Sequence, residues 1–167
     1  MQLIRFKKDK KISNGVLKDD RIFRVKGDLF SDFSPGSEIA KLDEVKLLAP
    51  MVLPNIIAIG LNYRQHAVET GAEIPERPVV FLKATSSLNS PNSDILLPKI
   101  APEKVDFEAE LAVVISKRAK NIETVEVDDY ILGYSCANDV SARDCQKELD
   151  KQWARGKSFD TFCPLGP

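Results

Sequence analysis

The sequence predicts a mainly β protein of the α+β class. Three observations lead there. Short apolar, β-branched runs recur along the chain, among them "RIFRV", "NIIAIG", "VVFLK" and "FEAELAVVI". Turn residues separate these runs at close intervals. Only two stretches carry helical spacing, and both are short. A doubly wound α/β arrangement would need more helices of greater length.

Taken in order, residues 1 to about 50 read as a small β-rich subdomain. "QLIRF" and "GVL" flank a basic stretch and Asn14-Gly15, a strong turn dipeptide. "KDD" separates "GVL" from "RIFRV". The boundary is expected in the Pro50–Pro54 segment, which divides the chain into 1–52 and 53–167. "NIIAIG" then reads as a buried strand. A short helix follows, with Asn62 as its cap, Gln65 three residues on, and Gly71 as its end. "VVFLK" is a second buried strand. The Ser-, Asn- and Pro-rich segment from Ala84 to Lys104 is a long loop, a kind of segment that often serves function. "FEAELAVVI" and "YILGYSCAND" are further strands. A helix is expected from about Ala142 to Arg155, with Ser141 as N-cap, Gly156 as stop, and Ala142, Cys145, Leu149 and Trp153 as its apolar stripe.

Composition excludes several classes. The chain has 167 residues and a formal net charge of −1, so no polyanion or nucleic-acid partner is indicated. No apolar run is long enough to span a membrane, and the N-terminus lacks the apolar core of a signal peptide. Cys136, Cys145 and Cys163 show no metal-binding spacing, which suits a reducing, cytoplasmic compartment.

The stretch "VDFEAELAVVI" places Glu108 and Glu110 on one face of a strand. A solvated strand face explains such a pair. The run then turns apolar on both faces, which points to burial instead. Two like charges about 6 Å apart repel by roughly 3 kcal/mol at an effective dielectric of 20. A divalent cation reverses the sign of that interaction, and hard cations take carboxylate oxygens. Asp139, at a strand end, is either a third ligand or a turn residue. Arg143 and Gln146 share a helix face, which on spacing alone reads as a solvated surface. His66 is the only histidine, with Glu69 three residues later; the pair is an acid–base dyad or part of an exposed helix. Lys157 follows the helix stop and could balance surplus negative charge.

Four stretches together, "GLNYRQHAVETG", "DFEAELAVVI", "GYSCANDVSARDCQ" and "GKSFDTFCPLGP", resemble the fumarylacetoacetate hydrolase family. The likeness runs from about Asn55 to Pro167, and the segment before it resembles the small N-terminal domain of many microbial members. The resemblance implies a mixed β-sandwich roll, usually dimeric. It implies metal ligands at Glu108, Glu110 and Asp139, with magnesium favoured and manganese or calcium also suitable. Substrate contacts fall on Arg143 and Gln146, an oxyanion contact on Lys157, and a mobile acid–base dyad on His66 and Glu69. Family members continue past C-P-L-G-P, so the roll is expected to be incomplete at its C-terminal side, with a second copy or a complementing chain as partner. The implied reaction is metal-dependent cleavage of a carbon–carbon bond in an acylpyruvate or 1,3-diketo acid, giving a 2-oxo acid and a carboxylic acid. Oxaloacetate-like decarboxylation, hydration and isomerisation are alternatives on the same site. A reading of another class is an inactive metal-binding fragment.

Overall fold

Alternating apolar residues in the first fifty positions build an antiparallel sheet. In this computed structural model, which describes residues 1–52, 55–150 and 152–167, that sheet has the order β4-β3-β2-β1-β5. The strands are β1 (Gln2–Lys8), β2 (Lys11–Lys18), β3 (Arg21–Gly27), β4 (Phe33–Lys41) and β5 (Lys46–Leu48). Ile4, Phe6, Ile22 and Ala40 form its buried face. Asp19 and Asp20 join β2 to β3 with φ of 49° and 59°, the geometry of a two-residue hairpin turn. The turn expected at Asn14-Gly15 is not there. Both residues lie within β2, opposite Arg5 and Ile4. Gly15 serves packing instead, since a Cβ would stand 2.6 Å from Ile22 Cγ2 and 3.1 Å from the Phe6 ring. The expected boundary segment lies partly outside the described residues, at Leu53 and Pro54.

The remainder is built from short pairs of strands. β6 (Ile56–Gly60) runs antiparallel to β7 (Val79–Lys83), with α1 (Arg64–Thr70) between them in the chain. β10 (Ala109–Ile115) runs antiparallel to β11 (Ile131–Asn138). Two-residue strands tie the ends together: β8 (Leu88–Asn89) with β13 (Cys163–Pro164), in parallel, and β9 (Val105–Asp106) with β12 (Ser141–Ala142). Ala101, Val140, Ala142, Cys145 and Phe162 form the core between them. The chain is mostly strand with few, short helices, as the sequence predicts.

Several elements depart from expectation. "FEAELAVVI" is not one continuous strand, because Phe107 and Glu108 interrupt the ladder between β9 and β10. There the Asn138 side chain accepts from the Glu108 amide at 3.1 Å. The helix expected over 142–155 is divided. Ser141 and Ala142 pair with Asp106 and Val105 in β12. The Ser141 hydroxyl donates to the Asp139 carbonyl rather than capping a helix. A π-helical turn covers Asp144–Leu149, and α2 (Trp153–Lys157) follows with Gln152 as its side-chain cap. Lys151 lies outside the described residues. Gly156 sits inside α2, not beyond it. A Cβ there would meet the Ala142 carbonyl oxygen at 2.8 Å and the Gln146 amide nitrogen at 2.9 Å, so glycine lets α2 press onto the π-helical turn. Tyr63, not Asn62, is the N-cap of α1, while Gly71 ends it in the left-handed conformation as expected.

The strands read as buried on both faces are apolar on their exposed side. Ile57 faces Leu82 and Ile59 faces Val80 across the β6–β7 pair, all four outward. On β10, Leu111, Val113 and Ile115 also point outward. The inward side of β7 carries Phe81, whose ring packs edge-on against Trp153 at 5.7 Å.

Candidate active site

The inward faces of these strands carry charge. Phe107 and Leu111 are 74% and 61% exposed, whereas Glu108 and Glu110 between them are half-buried. The carboxylates therefore share a face, as their spacing predicts, and that face is the inner one. Asp139 directly follows β11 and is held by its amide, which donates to the Glu108 carbonyl at 2.9 Å. Arg143 opens the π-helical turn, and Lys157 closes α2.

Six of these groups form a chain of alternating sign. Arg143 Nη2 lies 2.9 Å from Asp106 Oδ2, and Nη1 lies 2.6 Å from Glu108 Oε1. Lys157 Nζ bridges Glu108 Oε2 at 2.7 Å and Asp139 Oδ2 at 2.5 Å. Lys83 Nζ takes the other Asp139 oxygen, Oδ1, at 2.5 Å. The series runs Asp106, Arg143, Glu108, Lys157, Asp139, Lys83, three anions and three cations. Gln146 Oε1 accepts from Arg143 at 3.0 Å, and the Lys157 ammonium lies 5.1 Å from the centre of the Phe81 ring. Both lysines are almost fully buried, at 4% exposure for Lys83 and 2% for Lys157.

Glu110 stands outside the series. It has no ion pair among the described residues. Burial raises its pKa above the ordinary carboxylate value; the facing Tyr63 hydroxyl opposes this, and the charges of Glu108 and Asp139 add to it. Glu108 goes the other way. Burial would raise its pKa, but Lys157 and then Arg143 outweigh burial and hold it below the ordinary value. Burial also lowers the pKa of Lys83, against the pull of Asp139.

Glu108, Glu110 and Asp139 fit a hard divalent cation in donor type and charge. All three are carboxylates, two of them already share one cation, and the third is repelled by both. As placed here, their oxygens do not converge as a three-carboxylate group; no such group occurs among the described residues. His66 and Glu69 both lie on α1, His66 half-buried and Glu69 exposed. Glu69 Oε1 accepts from Gln65 Nε2 at 3.1 Å, and no hydrogen bond joins Glu69 to His66 among the described residues. Tyr63, the N-cap of α1, faces Glu110. The structure thus brings together Glu108, Glu110, Asp139, Arg143, Gln146 and Lys157, and leaves the dyad unformed.

Sequence reasoning missed two members, Lys83 and Asp106. For Lys83 a signal existed. Val79, Phe81 and Lys83 share one face of "VVFLK", so a lysine falls on the side that an apolar strand would bury.

The chain's first 50 residues match the model of a family described as Rv2993c-like, N-terminal. Residues 55–167 match that described as fumarylacetoacetate (FAA) hydrolase C-terminal. An uncharacterized protein of Archaeoglobus fulgidus is 45% identical over 93% of this chain and 60% of its own length. The mitochondrial oxaloacetate tautomerase fahd2 of Xenopus laevis is 46% identical over 82% of this chain and 43% of its own. A crystal structure of 5-carboxymethyl-2-hydroxymuconate delta-isomerase from Mycobacterium smegmatis superposes with a TM-score of 0.87 and 37% identity, covering all of this chain and 65% of its own. The chain thus spans roughly half the length of these curated relatives and about two-thirds of that solved structure. With 113 of its 167 residues inside that matched region (55 to 167), the chain belongs to the fumarylacetoacetate hydrolase family.

Proposed function

We propose that this chain carries the ionic part of an enzyme site for small 2-oxo acids, acting by proton transfer between keto and enol or positional isomers. The observation that carries this reading is the neutral series of six charges, all but the exposed Asp106 buried or half-buried, with Glu110 beside it and no ion pair of its own among the described residues. Glu108, Glu110 and Asp139 would hold a divalent cation, magnesium before manganese or calcium, and the cation supplies Lewis-acid polarisation of a substrate carbonyl. The planar fork of Arg143, steadied by Gln146, suits a substrate carboxylate. Lys157 places a buried ammonium where negative charge on an enolate oxygen would need a donor. His66 is the only histidine of the chain, and imidazole is the side chain suited to moving a proton near neutral pH.

Two named relatives support this reaction class, an oxaloacetate tautomerase and a 5-carboxymethyl-2-hydroxymuconate delta-isomerase. Hydrolysis of a carbon–carbon bond in an acylpyruvate is the second reading, favoured by the family model's description. It asks more of the site, namely a water activated by His66 and oriented by Glu69, whose carboxylate here accepts from Gln65. Decarboxylation and hydration would use the same groups. The outward apolar residues of β6, β7 and β10 support assembly, either as a homodimer or with a polypeptide supplying the rest of the relatives' length. Three cysteines without disulfides suit the cytoplasm.

The test has two parts. Calorimetric titration with manganese should show binding that Asp139→Ala removes. Ultraviolet absorbance should then show faster keto–enol interconversion of oxaloacetate in the metal-loaded protein, while chromatography follows acylpyruvate cleavage. Metal binding without turnover on any of these, for the chain alone and for its assembly, would leave a non-catalytic metal-binding module. Equal metal affinity in Asp139→Ala would remove the site itself.

A further inference from the structure

Lys83 closes the charge series but is given no chemical task in the reading above, yet it is one of the most deeply buried charged groups of the protein. Its environment differs from that of Lys157. Lys157 touches two carboxylates and lies between them. Among the described residues Lys83 touches one carboxylate only, at Asp139 Oδ1, and its other hydrogen-bond acceptor is the Val140 carbonyl at 3.4 Å. Asp139 is thereby gripped at both oxygens and at its amide, with Oδ2 turned to the Lys157 ammonium that it shares with Glu108 Oε2. Nothing else among the described residues donates to Oδ1. Without Lys83 that oxygen would be a buried acceptor lacking a partner, which is unfavourable enough to drive a side-chain rearrangement.

We propose that Lys83 is a positioning residue: it pins Asp139 through Oδ1 so that Oδ2 stays on the side facing Glu108, where Lys157 now bridges the two carboxylates. The inference rests on the proposed cation site, and it goes beyond it by assigning a member that touches neither substrate nor cation. β7 is suited to the task. Val79, Phe81 and Lys83 point to the same side, and Phe81 is clamped by Trp153. The lysine stem therefore leaves a fixed platform. Partners that orient ligands from behind typically change metal affinity by about 10- to 100-fold when removed.

The sign of the effect separates positioning from plain electrostatics. A buried ammonium that merely stood nearby would repel a divalent cation, so its removal would tighten binding. A positioning lysine does the reverse. The experiment is manganese titration of the full chain by calorimetry, for wild type, Lys83→Met, Asp139→Asn and the double variant. The expected result is binding about tenfold weaker or worse in Lys83→Met. The double variant should be no weaker than Asp139→Asn alone, because Lys83 acts only through Asp139. Unchanged or tighter binding in Lys83→Met, with Asp139→Asn weakened, overturns the role of Lys83 and leaves the cation site standing. Additive losses in the double variant overturn it as well, since a general structural defect adds. No binding by wild type, or no effect of Asp139→Asn, overturns the cation site beneath it. If Lys83→Met does not give the wild-type circular dichroism spectrum, Lys83→Gln is titrated under the same criteria.

Discussion

In the N-terminal sheet the inward face is Ile4, Phe6, Ile22 and Ala40, and its charges lie in solvent. In the segment after Asn55 the arrangement is reversed on the strands that matter. There β7 and the end of β11 deliver Lys83 and the adjoining Asp139 to the inside, and β10 turns Glu110 inward while Leu111, Val113 and Ile115 face out. Burying charge is costly unless each group is paired, and even then an apolar substitute is often as stable. The first region therefore reads as a folding unit, and the second as a surface for chemistry whose stability depends on complete ion pairing.

The sharpest test of that contrast is Lys157→Met. It preserves length and removes the ammonium shared by Glu108 and Asp139, leaving two carboxylates without it. The expected loss is about 3–5 kcal/mol, the scale for breaking a buried ion pair from one side. Urea denaturation checks this, and a loss below about 1 kcal/mol would show that the ionic series contributes little. In the first region, Ile22→Ala should cost about 2–4 kcal/mol by cavity formation alone. That cost should be insensitive to salt, while the cost of Lys157→Met should change with it. Equal salt responses would erase the distinction.

Gly60→Ala sits between the two. A Cβ at Gly60 would stand 2.0 Å from Trp153 Cζ3, so the indole must move off the Phe81 edge. Overpacking of this kind costs about 1–3 kcal/mol. The indole shift should also appear as a changed tryptophan fluorescence maximum. A variant with wild-type fluorescence and melting would show that the Trp153 ring is not seated there in solution.

How far the sequence reveals this depends on which interactions set each element. Local patterns show through: the strands, the Asp19–Asp20 turn, the Gly71 helix end and the inward pair Glu108 and Glu110 all follow from spacing of two or from turn chemistry. Features decided by distant contacts do not. Gly15 looks like a turn residue, and only the closeness of Ile22 and Phe6 explains it. The 142–155 stretch has helical periodicity, yet Ser141 and Ala142 are claimed by pairing with β9, which leaves a π-helical turn and a separate short helix. Lys83 and Asp106 enter the site through partners 56 and 37 residues away. The dyad of His66 and Glu69 came from the family likeness and i,i+3 spacing, and spacing alone does not bring the two side chains together.

The outward apolar face gives a smaller effect. Ile57→Thr and Leu82→Thr, facing each other at 66% and 54% exposure, should each change the stability of the chain alone by no more than about 0.5 kcal/mol. Losses above about 1 kcal/mol in melting experiments would mean that the face is covered in solution.

The smallest effect expected is at Glu110, and its sign is the informative part. Its pKa in the folded protein is raised, first by burial and then by Glu108 and Asp139. A carboxyl with a raised folded pKa favours the fold when protonated, below its unfolded pKa, and loses that contribution as pH rises through the folded value. At neutral pH, in chelator, ionised Glu110 therefore opposes folding slightly. Glu110→Gln should melt about 1–2 °C above wild type there, and the difference should shrink to nothing as pH falls below the ordinary value of 4.5. Glu108 behaves oppositely. Its folded pKa is lowered, so its contribution is present above the ordinary value and is lost as pH falls through the folded one. Glu108→Gln should accordingly melt below wild type at neutral pH, and the gap should close in acid. Two glutamates on one face, two residues apart, should thus give melting differences of opposite sign. The same sign for both would mean that Glu110 has found a cation of its own, and would sink its assignment as the carboxylate left open for one.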